Sequence, residues 1–295
     1  MARLTAADFD QELLILFDAY VHGDIDRRGF LERASRFAVG GVTAAGLLAA
    51  LSPDFAAAQV VPKDDKRVLT LMVDVPSPSG SGTVKAYLAK PATGTAKLPG
   101  VLVVHENRGL NPHIEDIARR LALEGYLAFA PDALTPLGGY PGDEDKARAL
   151  FAQLDQTKTR QDFIAAAGAL KGRPDCTGRI GVVGFCYGGG IAHMLATQLP
   201  ELAAAVPFYG NHPPAEDAAK VKAPLLIHFA GIDERINAAW PTYEAALKAA
   251  GVRYTAHHYP ATQHGFHNDT TPRYDANAAQ LAWERTLGFF KQSLK

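Results

Sequence analysis

Cysteine is scarce in this chain of 295 residues, since only Cys176 and Cys186 occur. A disulfide framework is therefore excluded, and both are expected to be free thiols. Cys176, between Asp175 and Thr177, is expected to lie in a loop. An excess of either charge is also missing, because the formal net charge is −1, which gives no electrostatic reason to bind nucleic acid or an anionic membrane. No apolar run reaches the roughly 20 residues that a transmembrane helix needs. What remains is a globular protein, long enough for one large α/β domain or two smaller ones.

Metal-binding motifs are missing as well, since neither H-E-x-x-H nor a paired Cys-x-x-Cys occurs. Two groupings remain as zinc candidates: His264 with His267 and Glu106, and His105 with His113. The adjacent His257 and His258 lie on a predicted strand and point to opposite faces, so they cannot bind one ion together. We predict that the protein uses no metal and no other cofactor.

The first 62 residues differ in character from the rest. Residues 6–21 carry apolar side chains at helical spacing. Arg27-Arg28, an uncharged run over residues 37–51 and the small residues 56–58 then follow in the order typical of a twin-arginine export signal. A working signal would make the protein periplasmic or secreted. The other interpretation is a retained helical extension that packs on the main domain or on a partner subunit of a cytoplasmic protein, and the sequence leaves both open.

Residues 63–295 read as one domain in which strands alternate with helices. Residues 68–73 and 83–90 predict a leading hairpin, and residues 99–105 predict a fully apolar strand at the centre of a sheet covered on both faces. This order predicts an α/β fold, with a doubly wound and mostly parallel sheet flanked by helices. The hairpin, with its turn at residues 76–80, is expected to form the antiparallel edge of the sheet. A helix is predicted near residues 238–250.

The sequence Gly184-x-Cys186-x-Gly188 follows a short apolar strand and precedes a helix predicted from residue 191. This is the pattern of a nucleophile elbow, with cysteine where serine is usual. The helix N-terminus favours the thiolate form of the sulfur. The simpler interpretation is a buried cysteine in a glycine-rich turn, and a phosphate-binding loop is disfavoured because its Lys-Ser/Thr pair is missing.

A nucleophilic sulfur needs a base, and the base needs a group that orients it. Asp233 follows one later strand and His264 follows the next, in the order that this fold requires. Glu234 and Asp269 are the alternative acids. The order of the three groups, each at a strand end, favours a functional triad of Cys186, His264 and Asp233.

A polar cluster follows the central apolar strand. The backbone N–H groups of Asn107 and Tyr187 are predicted to form an oxyanion hole, and Glu106 is expected to face the same crevice. Its structural alternative is an ion pair with Arg108. Residues 137–142 predict a loop from which Tyr140 could line the pocket.

Four motifs in this order resemble those of the dienelactone hydrolase family, thiol-dependent members of the α/β-hydrolase fold: residues 105–109, 184–189, 231–233 and 264–266. The resemblance covers the chain from about residue 68 to the end. It implies that Cys186 is the nucleophile, His264 the general base and then acid, and Asp233 its orienting partner. It also implies that Glu106 pairs with the resting cysteine and releases it when substrate arrives.

Two arginines that bind the substrate carboxylate in dienelactone-opening relatives have no counterpart in this sequence. Arg108, Arg235 and Arg273 could substitute for them, and Arg108, Tyr140 and Phe266 are candidate substrate contacts. We therefore predict a cysteine-dependent hydrolase of small carboxylic esters or lactones that forms a covalent thioester. The alternatives are a thioesterase or other acyl hydrolase with the same triad, and a non-catalytic binding protein with this fold. The predicted partner is a small molecule, without nucleic acid or stable membrane insertion, and the sequence leaves open whether the chain forms a homo-oligomer.

Overall fold

A computed structural model describes residues 4–295 of the chain. The strands are β1 (Val68–Ser77), β2 (Gly82–Pro91), β3 (Leu98–Val104), β4 (Leu127–Pro131), β5 (Cys176–Phe185), β6 (Ala204–Phe208), β7 (Leu225–Ile232) and β8 (Tyr254–Gln263). They form one eight-stranded sheet in the order β1-β2-β4-β3-β5-β6-β7-β8. β1 pairs with β2 and β2 with β4 in antiparallel fashion, and all other pairs are parallel. The predicted mostly parallel sheet with an antiparallel hairpin at its edge is confirmed.

The helices that cover this sheet and precede it are α1 (Gln11–His22), α2 (Arg27–Ala34), α3 (Ala44–Leu51), α4 (Phe55–Ala58), α5 (Pro112–Leu123), α6 (Glu144–Phe151), α7 (Gln156–Lys171), α8 (Tyr187–Gln198), α9 (Glu234–Asn237), α10 (Trp240–Ala249) and α11 (Ala276–Leu294). The single helix expected over residues 238–250 is preceded by the separate short α9. Pro241 stands in the first turn of α10, where its missing N–H leaves no hydrogen bond unmade.

The hydrophobic core occupies both faces of the sheet. On one face Phe163, Leu195 and Leu247 pack from α7, α8 and α10. On the other face Ile117 and Phe290 pack from α5 and α11. β3 runs between the two layers with six of its seven residues buried, as its continuous apolar sequence predicts.

Cys176 is the first residue of β5 and is buried. The expectation that it lies in a loop is therefore wrong, because the strand begins earlier than its apolar run and pairs Cys176 with Leu98. Both cysteines are free thiols.

The amino-terminal segment forms a small helical unit with its own apolar core. Leu14 and Phe17 of α1 pack with Phe30 of α2 and Leu51 of α3, and all four are buried. The uncharged run over residues 37–51 contributes only eight residues of helix, as α3. Among residues 4–295, no helix is both long and apolar enough to cross a membrane.

Candidate active site

Cys186 occupies a sharp turn between β5 and α8. Its backbone has φ 54° and ψ −112°, a strained conformation for a residue with a side chain. The Cys186 N–H donates to the carbonyl of Phe208 at 3.0 Å, which fixes the turn against β6. Because Tyr187 is the first residue of α8, the sulfur lies at a helix N-terminus, where unpaired N–H groups and the helix dipole favour an anion.

Two glycines make this turn sterically possible. A Cβ added to Gly184 would lie 1.9 Å from the carbonyl oxygen of Gly188. A Cβ added to Gly188 would lie 2.3 Å from the carbonyl oxygen of Val104, the last residue of β3. The elbow therefore touches the end of the neighbouring strand directly, and this contact brings the loop after β3 beside the sulfur.

Asp233 and His264 form a buried pair at the ends of β7 and β8. The Nδ1 of His264 lies 2.6 Å from the Oδ2 of Asp233. The Nε2 of His264 is buried and has no hydrogen-bond partner among the described residues. The alternative acids are placed elsewhere, since Glu234 is exposed and Asp269 pairs with His113 and Arg120 at 3.2 Å and 2.6 Å.

His264 lies close to the sulfur, and so does a second histidine, His22. One ring nitrogen of each histidine and the Sγ of Cys186 all lie within 4.8 Å of one another. Burial raises the pKa of the Cys186 thiol, but the charges of His264 and His22 outweigh it and lower the pKa to about 6. Burial lowers the pKa of His264, but the sulfur and Asp233 outweigh it and raise the pKa to about 10. At neutral pH the electrostatics therefore favour a thiolate beside an imidazolium.

The loop after β3 contributes to the same crevice. Asn107 lines a cavity together with Cys186 and Tyr187, so both residues predicted for the oxyanion hole lie beside the sulfur. The side-chain Nδ2 of Asn107 donates to the carbonyl of Val21 at 2.9 Å. Glu106 turns its carboxylate to the Nδ2 of Asn268 at 2.8 Å.

His22 is the site residue that the sequence reasoning missed. It is the last residue of α1, and its Nε2 lies 3.4 Å from the Sγ of Cys186. Its Nδ1 lies 3.2 Å from the Oδ2 of Asp18, one helical turn earlier. The triad pattern predicts functional side chains only in loops after strands, whereas His22 lies on a helix that precedes the first strand. The Asp-x-x-x-His spacing, which places both side chains on one helix face, is the signal that could have found this pair.

Two cavities reach Cys186. One of about 210 Å³ is bounded by His22, Asn107, Tyr209 and Arg235. The other, of about 290 Å³, extends along α8 past Met194 towards the loop at residues 211–214.

The candidate substrate contacts differ in where they lie. Arg108 is buried beneath α1, where its guanidinium donates to the carbonyl of Val21 at 3.3 Å. Tyr140 donates its hydroxyl to Glu144 at 2.9 Å and does not line either cavity at Cys186. Phe266 has no exposed surface and packs in the core, so its position corresponds to a packing residue and does not support a substrate contact.

Among the three arginines that could replace the missing pair, only Arg235 lines a cavity at Cys186. Arg273 forms an ion pair with Asp18 at 2.9 Å. The candidate for an anionic substrate group is therefore Arg235.

In residues 4–295, only one set of three or more His, Cys, Asp or Glu side chains could hold a metal ion. It consists of His22, Cys186 and His264. An ion bound there would occupy the sulfur and the free nitrogen of His264, so it would block nucleophilic chemistry at Cys186. The zinc grouping of His264, His267 and Glu106 is not brought together among the described residues. In the other grouping, the Nε2 of His105 accepts a hydrogen bond from the Ala133 N–H, and the Nδ1 of His113 lies 3.2 Å from Asp269.

The strand order, the strained elbow after β5 and the polar loops at the ends of β3, β7 and β8 define an α/β-hydrolase. A model of the dienelactone hydrolase family matches residues 84–294, and the chain belongs to this family. A second model, of the YqhI-like family, matches residues 1–39.

Relatives and solved structures agree with this assignment. The chain is 34% identical over 264 residues to a protein of Escherichia coli strain K12 called "Putative carboxymethylenebutenolidase", covering 84% of this chain and 95% of that protein. It is 51% identical over 116 residues to the "Putative hydrolase fragment YghX" of the same strain, covering 39% of this chain and 99% of that one. The crystal structure of a "Putative Dienelactone Hydrolase" from Klebsiella pneumoniae is similar with a TM-score of 0.68 and 30% identity, covering 76% of this chain and 99% of that chain.

Proposed function

We propose that this protein hydrolyses small carboxylic esters or lactones through a thioester formed on Cys186. The observation that carries the proposal is the buried Asp233–His264 pair, whose unpartnered Nε2 lies in the cluster around a sulfur with a lowered pKa. Carboxymethylenebutenolidase, the name given to several relatives, denotes a lactone hydrolase. The buried Asp233–His264 pair beside the Cys186 sulfur also argues against a purely non-catalytic binding protein.

The chemistry divides into two steps. The thiolate of Cys186 attacks the ester carbonyl, a carbon–sulfur bond forms, and the bond to the leaving alkoxide breaks while His264 gives that alkoxide a proton. In the second step His264 takes a proton from water as the water attacks the thioester. The carbon–sulfur bond then breaks and the thiolate is restored. Asp233 holds the imidazole in the orientation that both transfers need.

Two backbone donors support the charge that develops on the carbonyl oxygen. Tyr187 and Asn107, whose N–H groups we assign to this role, both line the cavity that reaches Cys186. Removing one such donor typically costs about 10²–10³-fold in rate. The cavities of about 210 and 290 Å³ lie below or near the lower limit for drug-sized ligands, so a short acyl group fits better than a long one. A small thioester would pass through the same intermediate and is the alternative substrate class.

Acyl-enzyme trapping tests the proposal directly. The protein is mixed with p-nitrophenyl acetate, stopped with acid and digested, and its cysteine peptides are analysed by mass spectrometry. We expect an acetyl group on Cys186 and none on Cys176, because Cys176 is buried at the far end of β5 from the elbow. Continued turnover without any acetylated Cys186 would refute the thioester route.

Metal removal gives a second prediction. Hydrolysis through Cys186 needs no ion, so dialysis against EDTA should leave the rate of p-nitrophenyl acetate hydrolysis unchanged. Added Zn²⁺ should inhibit, since it competes for the sulfur and the two imidazoles. A rate that EDTA abolishes and Zn²⁺ restores would replace the thiolate mechanism with a metal-dependent one.

A further inference from the structure

The amino-terminal segment docks on the hydrolase domain through polar contacts around the active site. Arg27 forms an ion pair with Asp145 of α6 at 2.6 Å, and Asp18 forms one with Arg273 at 2.9 Å. The amides of Gln11 and Gln263 pair at 2.7 Å, immediately beside His264 in the chain. These contacts involve charges of both signs and reach separate elements of the hydrolase domain, so they fix the direction in which α1 points.

The C-terminal end of α1 points at the sulfur of Cys186. The helix ends at His22 because Gly23 adopts the left-handed conformation, with φ 87°. The carbonyl of Val21, in this last turn, accepts hydrogen bonds from Asn107 and Arg108 at 2.9 and 3.3 Å. The negative end of the helix dipole favours a positive charge on His22.

Two carboxylate–histidine pairs therefore meet at one sulfur. The carboxylate lies 2.6 Å from Nδ1 in Asp233–His264 and 3.2 Å from Nδ1 in Asp18–His22. In the second pair Nδ1 is also 2.8 Å from the backbone carbonyl of Asp18, which is the closer of the two acceptors. The Nε2 of His22 is 3.4 Å from Sγ, and the rings of the two histidines meet edge to face with their centres 4.8 Å apart. Each pair thus brings one imidazole to the sulfur, and the two imidazoles lie side by side.

His22 makes the contact with the sulfur that the family resemblance assigns to Glu106. The carboxylate of Glu106 accepts a hydrogen bond from Asn268, while the Nε2 of His22 lies 3.4 Å from the sulfur. His22 does not fill the pocket, because the cavity of about 210 Å³ that it borders still reaches Cys186. The segment is therefore a wall of the pocket and leaves room for a substrate.

We propose that Asp18 and His22 form a second carboxylate–histidine pair of the active site, which holds the Cys186 sulfur as a thiolate in the resting enzyme. This inference rests on the proposed function of Cys186 and requires that the amino-terminal segment is retained in the mature protein. The segment is then a part of the hydrolase site.

Several charged or titratable groups face this cluster from the elements packed against it: Asp18, His264, Arg235, Arg108, Arg273, Glu106 and Tyr209. The Nη2 of Arg235 lies 3.0 Å from the Nε2 of His22. Because a guanidinium can only donate, this contact favours an unprotonated Nε2 and opposes the positive charge on His22 that the sulfur and Asp18 favour. Burial lowers the pKa of His22, but the sulfur and Asp18 outweigh it and raise the pKa to about 9. Between pH 6 and 9 these charges favour a thiolate on Cys186 and an imidazolium on His22. Loss of His22 removes one of the charges that lower the pKa of the thiol.

The test is the pH dependence of alkylation of Cys186 by iodoacetamide, measured in a Cys176→Ala background. The rate should rise with pH around a midpoint of about 6 when His22 is present. His22→Gln should move that midpoint upward by about one unit or more, since an opposite charge within about 4–6 Å shifts a pKa by this amount. Glu12→Gln is the matched control, because Glu12 is an exposed carboxylate of the same helix and forms its ion pair with Arg36, away from the sulfur.

A second variant separates the loss of the imidazole from undocking of the segment. His22→Ala leaves a space at the sulfur, and added imidazole should restore fast alkylation near pH 7 in this variant but not accelerate it in Glu12→Gln. An unchanged midpoint in His22→Gln, together with turnover that still needs Cys186, would overturn the inference and leave the proposed function intact. A shifted midpoint without any acetylated Cys186 would support the effect of His22 on the sulfur and overturn the proposed function. Mature protein that begins at Gln59 in its native host would also overturn the inference about Asp18 and His22.

Discussion

Replacing Cys186 by alanine is expected to lower kcat/KM for p-nitrophenyl acetate by roughly 10⁴-fold or more, the scale at which catalysis falls when the nucleophile of a triad is lost. No other side chain at the elbow can form the acyl intermediate, because Cys186 alone combines a position at the start of α8 with a sulfur beside His264. His264→Ala should cause a comparable loss. The double variant should be no worse than either single one, since nucleophile and base act as a unit.

Cys176→Ala is the matched control for this prediction. Cys176 is also a buried free thiol, but it lies at the opposite end of β5 from the elbow. Its replacement should leave kcat/KM nearly unchanged. A variant series in which Cys176→Ala abolishes turnover and Cys186→Ala preserves it would refute the assignment of the nucleophile.

Gly188→Ala should damage the site through the backbone rather than through chemistry. The added Cβ would lie 2.3 Å from the carbonyl oxygen of Val104 and 2.7 Å from that of His105. Neither oxygen can move away easily, because Val104 is the last residue of β3, a central strand paired on both sides, and His105 follows it directly. We expect the free energy of unfolding to fall by about 3 kcal/mol or more, with activity lost in the fraction that still folds. Urea unfolding followed by circular dichroism measures the first effect.

Gly168→Ala supplies the comparison for that measurement. Gly168 is inside α7, and a Cβ built there meets nothing within 4 Å. Alanine is the better helix former by about 1 kcal/mol, so this variant should be as stable as the wild type or more so, with full activity. Equal destabilisation by both substitutions would mean that the close approach at Gly188 does not control the elbow.

Much of the fold can be predicted from the sequence because the patterns that indicate strands and turns are local. The apolar run of β3 predicts a doubly covered central strand, and six of its seven residues are buried. The turn between β1 and β2 lies slightly later than expected, at residues 78–81, since β1 continues through Pro76 to Ser77. Pro76 can remain at this edge because β1 has a neighbour on only one side.

The sequence predicts some of the site residues and not others. Asp233 and His264 could be named because each follows a recognisable strand, and in parallel strands such ends meet at one edge of the sheet. The contact of Glu106 with Asn268 could not be predicted, since it depends on how the loop after β8 folds back. His22 lies 164 positions before Cys186, and no local pattern indicates on which part of the sheet a separate helix will dock.

The reactivity of Cys186 also has a consequence for synthesis of the protein. The sulfur is translated well before His264, one of the groups that lower its pKa. An emerging chain that has just completed the elbow lacks this imidazole, and it also lacks Arg273, the ion-pair partner of Asp18 in the amino-terminal segment. We therefore expect more of the sulfur to be thiol at that stage, and a thiol resists alkylation and peroxide better than a thiolate. The full set of charges that lowers the thiol pKa is complete only when β8 and the loop after it have joined the sheet, at the stage when the finished pocket also shields the sulfur.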